Sequence, residues 1–200
     1  DEAESLSLAG RLQDPEQGRE HRCGLHRDAQ GELVLRLDYR AVTSITEIAR
    51  LMPTKALVPD SHRLIQEGPD ERRRFIDWGC FHQFDEFAGA WRGFRRALSQ
   101  RNEVLRQRGP DDEVRSWNEA VVSDGERLDR MRRIYVNKLC TFVEPRMERA
   151  GFMFHMELEL RSGWPEELSL AEALDSRLEQ HRRLKTTADG PHRADLAIRA

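Results

Sequence analysis

The densest positive charge in this sequence lies directly beside an apolar, aromatic patch. In the stretch GPDERRRFIDWGCFHQ, Gly68 to Gln83, the consecutive arginines Arg72 to Arg74 run into Phe75, Ile76 and Trp78. Arginine carries a planar fork of hydrogen-bond donors that matches carboxylate and phosphate oxygens. The stretch therefore permits two interpretations: a helix with a solvated arginine face, or arginines that hold an anion such as a carboxylate or a nucleic-acid phosphate.

A second group of arginines stands off the apolar stripe of a long predicted helix. It consists of Arg92, Arg95 and Arg96, with Arg101 one turn further on. The chain has 33 basic and 36 acidic side chains and a net charge of -3, so it produces no general positive field. Any anion site must be a local patch. These arginines either contact phosphate or form a solvated helix face paired with nearby acids.

Motifs for a self-contained catalytic, nucleotide or metal site are absent from the sequence. No lysine follows a glycine, so there is no phosphate-binding loop of the form GxxxxGKS or GxxxxGKT. Cys23 and His26 have the spacing of zinc ligands, and Cys80 lies close to His82, but buried thiols that pack as small apolar groups explain these cysteines better. The sequence therefore predicts no catalytic residue and no metal ligand.

The cysteine content and the hydropathy pattern predict a cytoplasmic protein without membrane contact. Three widely spaced cysteines, an odd number, argue against a disulfide framework and for a reducing compartment. There is no signal peptide and no apolar run long enough to span a bilayer. The chain begins at Asp1 rather than Met and stops inside a strand-like run, so we expect a fragment of a longer protein.

The first 40 residues are typical of antiparallel strands. Leucines alternate with other residues in SLSLAGRL and ELVLRLD, and DAQG, Asp28 to Gly31, predicts a hairpin turn between them. Ser44, with Glu47 three residues later, predicts a capping box that opens a short helix. KALV predicts a further short strand before Pro59.

The middle of the chain predicts two long amphipathic helices, 84–108 and 112–147. The apolar stripe of the first is formed by Phe84, Phe87, Trp91, Phe94, Leu98 and Leu105. The stripe of the second is formed by Val114, Trp117, Val121, Leu128, Met131, Tyr135 and Phe142. We expect the helices to pair as an antiparallel hairpin with Trp91 buried in the seam. Asp124 and Gly125 interrupt the second stripe and predict a kink or a soft point.

After Pro145 the pattern returns to sheet. FMFHMELEL, residues 152–160, alternates like a strand, and Ser169 with Glu172 predicts a second capping box. TTADGPH predicts a loop whose polar groups are solvated, including His192 and the following Arg193 and Asp195, and ADLAIR predicts a last strand.

The order of sheet, helices and sheet predicts an α+β fold with an inserted antiparallel helical arm. Residues 1–69 and 149–200 form the head, and residues 70–148 form the arm.

The stretch PDSHRLIQEGPDERRRFIDWGCFH, residues 59–82, closely resembles the signature of the RecF family. The matching residues are Pro59, Asp60, Leu64, Ile65, Gly68, Pro69, Arg72, Arg73, Phe75, Ile76 and Asp77. RLMP, LSQRNEVLRQ and GPHRADLAIR also match the family in the same order. Glu67 departs from the glycine that the family usually has, which weakens any claim of close backbone approach at that loop.

The resemblance implies a portion of an α/β ABC-type ATPase head of the SMC-like kind with a short helical arm. In the family the phosphate loop precedes this segment, and the signature motif and the Walker B strand follow it. The full-length protein is then expected to bind ATP with Mg2+, to hydrolyse it slowly and to form an ATP-dependent homodimer, whereas the segment alone binds no nucleotide. Family membership also implies binding of single-stranded and gapped or junction DNA, work with RecR and RecO to load RecA, and support of the SOS response.

Within this resemblance the arginine-rich stretch becomes the joint between head and arm. Its arginines either pair with Asp60, Glu67 or Asp77 or face DNA, and Asp60 is the residue that the resemblance suggests as the sensor of the γ-phosphate. The predicted DNA-binding residues are Arg72, Arg73, Arg74, Arg92, Arg95, Arg96 and Arg193. A different class of function also remains open: a helical partner-docking module without nucleotide or DNA chemistry.

Overall fold

The structure, a computed structural model, describes residues 5–13, 18–43, 45–54 and 63–199. The chain divides into two compact units, residues 1–58 and 59–200. Three features predicted from the sequence lie outside the described residues: the nucleotide-sensing residue Asp60, the cap residue Ser44 and the strand KALV.

The first unit is a four-stranded antiparallel meander followed by a short helix. Its elements are β1 (Ser5–Gln13), β2 (Glu20–Asp28), β3 (Leu33–Leu37), β4 (Arg40–Val42) and α1 (Ile45–Leu51). The predicted turn is confirmed, because the Asp28 carbonyl accepts from the Gly31 N–H at 3.0 Å and its carboxylate accepts from the Glu32 N–H at 2.7 Å. Leu35 and Leu37 are buried, so β3 carries the apolar face of this sheet.

The second unit combines helices with a two-stranded antiparallel sheet. Its helices are α2 (Arg63–Gln66), α3 (Pro69–Gln83), α4 (Phe87–Arg106), α5 (Asp111–Ser116), α6 (Asn118–Arg149), α7 (Leu170–Ser176), α8 (Leu178–Leu184) and a 3-10 helix (Pro191–Arg193). Its strands are β5 (Glu157–Arg161) and β6 (Asp195–Arg199). The α+β class is confirmed. Among the described helices, none has the length and apolar character needed to cross a membrane.

The predicted pairing of the two long helices is confirmed for α4 and α6, but smaller side chains form the seam. Ala90, Phe94 and Ala97 of α4 are buried in one core with residues of α6. An added Cβ at Gly93 would lie 2.0 Å from Oδ2 of Asp124, so the two helices approach closely there.

Trp91 does not lie in this seam, and its predicted burial is wrong. The residue is 37% exposed. Close approach of α4 to α6 at Gly93 places the contact on the face of Ala90, Phe94 and Ala97, which leaves Trp91 at the edge of the apolar stripe.

The predicted kink or soft point at Asp124 and Gly125 does not interrupt α6, which is continuous from Asn118 to Arg149. Gly125 is buried, and an added Cβ there would lie 2.8 Å from Leu170 Cδ2. The glycine therefore lets α7 pack closely against α6.

The return to sheet comes later than the sequence predicted. Pro145 lies inside α6, and β5 covers Glu157–Arg161, which pairs residue by residue with Asp195–Arg199 of β6. Residues 152–155 are exposed and lie outside the strand. The second capping box is confirmed: Ser169 Oγ accepts from the Glu172 N–H, and the Glu172 carboxylate accepts from the Ser169 N–H.

Candidate nucleic-acid interface

Helix α3 carries the arginine triplet, and its first residues explain where the helix begins. Pro69 occupies the first turn, where a missing N–H costs nothing, and Asp70 and Glu71 follow at the end that favours negative charge. Ile76 and Cys80 bury the opposite face. Burial raises the pKa of the Cys80 thiol to about 12, so it packs as an apolar group. The described residues contain no cluster suited to a metal ion.

Arg72 is bound inside the protein. Its Nε and Nη2 atoms donate to the two carboxylate oxygens of Asp195 at 2.7 and 3.0 Å, and Nη1 donates to the Glu67 carbonyl at 2.7 Å. The Asp195 bond raises the pKa of Arg72 further. This fork ties α3 to β6, on a side chain that is only 15% exposed.

Arg73 and Arg74 pair with carboxylates from the first turn of their own helix. Arg73 donates to the Asp70 carboxylate and to the Ala194 carbonyl, and Arg74 donates to Glu71. The side chain of Arg74 is 74% exposed, so its ion pair is a surface pair. The arginine triplet is thus paired, but not with the carboxylates of Glu67 or Asp77 that the sequence suggested.

Asp77 instead pairs with Arg132 of α6, a residue that sequence reasoning missed. Arg132 Nε and Nη2 donate to the two Asp77 oxygens at 2.8 and 3.0 Å, and Nη1 donates to the Pro191 carbonyl at 2.6 Å. The Arg132 side chain is 4% exposed. This fork joins α3, α6 and the 3-10 helix.

His192 is not the solvated loop residue that the sequence suggested. Its Nε2–H donates to the Thr187 carbonyl at 3.0 Å, and its ring lies 5.9 Å from that of Phe94. Burial lowers the pKa of His192 to about 4, and Arg193 and Arg73 act in the same direction, so the ring is neutral near pH 7. Asp195 is likewise bound, by Arg72, whereas Arg193 is exposed.

A cavity of about 360 Å³ lies where α3, α4, α6 and the 3-10 helix meet. It is lined by Asp70, Arg73, Arg74, Asp77, Trp91, Phe94, Arg95, Leu128, Arg132 and His192. Four of these side chains are positive and two are negative, so the lining carries an excess of two positive charges. The cavity brings Arg73 and Arg74 together with Arg95, although these arginines belong to two separate clusters in the sequence.

The three arginines in the first half of α4 differ from those of α3 in having no acidic partner, whereas Arg106 at the end of α4 pairs with Glu103. Arg92, Arg95 and Arg96 are exposed, and within the described part of the chain none of them has a carboxylate within 4.0 Å. Arg95 lies over Trp91, with its Cζ atom 4.9 Å from the ring centroid. These side chains keep their donors available to an anion from solution.

Arg101 does not continue this exposed face, and that prediction is wrong. It is fully buried, its Nε donates to Asn118 Oδ1 at 2.8 Å, and its Nη1 donates to Thr187 Oγ1 at 2.7 Å. Burial lowers the pKa of Arg101 to about 10. Next to it the buried His181 Nε2 lies 2.8 Å from the Asp189 carboxylate. Arg101 therefore belongs to an internal polar network that joins α4 to α6 and α8.

Curated relatives match this chain over its whole length. The chain is 36% identical over 199 residues to the DNA replication and repair protein RecF of Shigella flexneri, and equally to that of Escherichia coli. Each match covers 100% of this chain and 55% of the relative, so the chain spans about half the length of the curated relatives it matches. No protein-family model matches the chain.

Two solved structures share the fold. The recombination mediator protein RecF with ATP, in the RecFOR pathway, superposes with a TM-score of 0.80 at 21% identity, over 98% of this chain and 56% of that one. The same mediator with the analogue ATPrS gives a TM-score of 0.79 at 20% identity, over 100% of this chain and 57% of that one. At this identity the likeness shows the fold.

Proposed function

The chain belongs to the RecF family, and we therefore propose that it forms the middle segment of an ATP-dependent DNA-binding protein. The full-length protein, meaning one with the length of the curated relatives, would act in the cytoplasm in recombinational gap repair and replication restart. Residues 1–69 and 149–200 would be parts of its ATPase head, and residues 70–148 its helical arm. The proposal rests on the 36% identity that extends over the whole chain.

The same proposal assigns ATP and its Mg2+ to the full-length protein rather than to this segment. Two solved relatives of the same fold are RecF with ATP and with an ATP analogue, in the RecFOR pathway. In this proposal Asp60 senses the γ-phosphate, and the working state is an ATP-dependent homodimer. Its partners are RecR and RecO, with which it loads RecA, and it supports the SOS response.

Nucleotide titration by calorimetry tests this division of labour. The full-length protein should bind ATP, whereas the segment should show no measurable binding because its sequence has no phosphate-binding loop. Asp60→Asn in the full-length protein should slow ATP hydrolysis and leave ATP binding nearly intact. Micromolar ATP binding by the segment alone would contradict the assignment.

The proposed DNA contact is the exposed arginine face of α4, continued by the cavity beside it. Arg92, Arg95 and Arg96 have no described carboxylate partner, so they can neutralise phosphates without first breaking an ion pair. Arg74 and Arg193, both exposed, extend the positive surface. Neutralised phosphates release counterions, so binding should weaken as salt rises, by about 0.9 log units per phosphate for each tenfold increase.

A triple change of Arg92, Arg95 and Arg96 to glutamine in the full-length protein tests this face. DNA affinity should fall, and the slope of log affinity against log salt should shrink by about 2 to 3, since each phosphate contact contributes about 0.9. Fluorescence anisotropy with a gapped duplex, at four or more salt concentrations, measures both quantities.

A matched control removes the same charge elsewhere. Arg108, Arg149 and Arg183 are exposed, and among the described residues none of them has a carboxylate within 4.0 Å; they lie after α4, at the end of α6 and on α8, respectively. Their triple change to glutamine should leave the salt slope nearly unchanged. Equal losses in both triple variants would show that net charge, rather than the α4 face, governs binding.

The second candidate function, a partner-docking module, is favoured by a different region. At the C-terminal end of α6, Phe142, Phe152, Met153 and Phe154 are exposed, and Met153 is 100% exposed. The rings of Phe152 and Phe154 lie 5.6 Å apart in an edge-to-face arrangement. A module of this kind would keep its partner binding after the α4 triple change and would lose it when Phe142 and Phe154 are changed to serine.

A further inference from the structure

Trp91 is exposed and lies beside the positive charge of Arg95, and the pairing of α4 with α6 requires neither feature. It lies at the edge of the α4 stripe, 37% exposed, while Phe94 beside it is 3% exposed and belongs to the core. A tryptophan that served only packing would gain from complete burial, because a large aromatic side chain contributes mainly through buried area. The indole here is instead a wall of the 360 Å³ cavity.

The cavity has the lining that an unstacked nucleobase needs. Phe94 and Leu128, which are buried, give the cavity an apolar part beside the buried, ion-paired Arg132. Its volume lies in the range of small-ligand pockets, about 300 to 1,000 Å³. The guanidinium of Arg95 lies over the Trp91 ring, with its Cζ atom 4.9 Å from the ring centroid, and both groups line the cavity. Bases stack on both aromatic rings and arginine planes.

The charge around the cavity suits the backbone of the same strand. Arg74 and Arg95 lie on opposite sides of the cavity, from α3 and α4, and both are exposed at its rim. The two aspartates of the lining are held by Arg73 and Arg132, and burial keeps His192 neutral. A phosphate on either side of the base would therefore meet arginine rather than free carboxylate.

From this arrangement we infer that the Trp91 cavity takes one unpaired base of single-stranded DNA. The base stacks against the Trp91–Arg95 pair, one flanking phosphate contacts Arg95, and the other contacts the exposed Arg74 in competition with Glu71. A duplex cannot use the cavity, because its bases are stacked on one another and their faces are covered. The inference rests on the proposed DNA-binding function and adds to it a position for one unpaired nucleotide.

Two strands with the same phosphates but different bases test the inference in the full-length protein with ATP. One is an oligothymidine, and the other is an abasic strand of equal length. Trp91→Ala should weaken binding of the oligothymidine by about 5- to 100-fold, the range expected for loss of one stacked base. Binding of the abasic strand should not change, and Trp91→Phe should restore most of the oligothymidine affinity.

Tryptophan fluorescence supplies a second measurement that does not depend on the alanine variant folding. Oligothymidine should quench the wild-type emission, and this component of the quenching should be lost in Trp91→Phe. The inference is overturned if Trp91→Ala leaves oligothymidine binding unchanged, or if it weakens both strands equally. The proposed function fails separately, if the wild-type protein binds neither strand nor gapped duplex.

Discussion

Helices α3 and α4 each carry a group of three arginines that lie close together in the sequence, but the two groups have opposite environments. On α3, Arg72, Arg73 and Arg74 each donate to a carboxylate, from Asp195, Asp70 and Glu71. On α4, the group of Arg92, Arg95 and Arg96 has no carboxylate within 4.0 Å among the described residues. Charge density along the sequence is therefore a poor guide to which arginines are available to a ligand.

The difference follows from the residues one helical turn away. Asp70 and Glu71 precede Arg73 and Arg74 by three positions, so they lie on the same side of α3. No acid stands three or four positions from any of the three α4 arginines in the sequence. The first group holds the helix and its neighbours in place, and the second is free to act on a partner in solution. Four predictions test this contrast, the first three on the paired side chains and the last on the unpaired ones.

The largest effect is expected at the buried fork between Arg132 and Asp77. Arg132→Met keeps the side-chain length but leaves the Asp77 carboxylate and the Pro191 carbonyl without their donor. Loss of one partner from a buried pair costs about 3–5 kcal/mol. Urea denaturation of this chain should therefore show a marked fall in the free energy of unfolding. Arg96→Met, on the exposed face, is the matched control and should change that free energy by less than about 0.5 kcal/mol.

A smaller effect is expected at the partly buried fork between Arg72 and Asp195. Arg72→Met removes three hydrogen bonds between α3, the Glu67 carbonyl and β6. Because Asp195 remains 26% exposed, water can replace part of this interaction, and a loss of about 1.5–3 kcal/mol is expected for bonds to a charged group. The same denaturation assay measures it. If Arg72→Met lowered the free energy of unfolding as much as Arg132→Met, the exposure of a fork would not determine how much its loss costs.

These two forks also mark the limit of what the sequence could predict. The DAQG turn, the Ser169 capping box and the last strand were found because their signals lie within a few residues of one another. The Arg132–Asp77 pair joins residues 55 positions apart and has no local signature. The exposure of Trp91 depends on how closely α4 approaches α6 at Gly93, which the hydrophobic period alone does not give. The helical spacing of Asp70 to Arg73 and of Glu71 to Arg74 is a local signal by contrast, but it does not reveal the partner of Arg72, which lies 123 positions away.

The third prediction concerns His192, which lies between the two groups at the cavity. Its pKa is lowered from the ordinary 6.5 to about 4, mainly by burial. Between these pH values the unfolded chain binds a proton that the folded chain does not. The free energy of unfolding therefore falls as the pH falls through this window, and the full contribution of His192 is present above pH 6.5. At pH 5 the loss should be about 1–2 kcal/mol.

His192→Gln keeps an N–H donor for the Thr187 carbonyl and removes the titrating ring. Its free energy of unfolding should depend less steeply on pH between 6.5 and 4 than that of the wild type. His181, whose pKa is also lowered by burial, is present in both proteins, so it contributes equally and cancels in the difference. Parallel curves for the two proteins would show that His192 is not neutral in the folded state.

The smallest effect on stability is expected from the exposed face itself. Changing Arg92, Arg95 and Arg96 together to glutamine breaks no ion pair among the described residues and removes repulsion between like charges four positions apart, Arg92 and Arg96. The midpoint of thermal unfolding should stay within a few degrees of the wild type, because exposed substitutions usually change stability by less than about 0.5 kcal/mol. Circular dichroism in low and high salt measures this directly. If the triple variant lost as much stability as Arg72→Met, the α4 arginines would be holding the fold, and their assignment to a ligand would have to be abandoned. A neutral result combined with a smaller salt slope for DNA would instead separate the two groups by function: ion pairs that maintain the fold on α3, and arginines kept free for phosphate on α4.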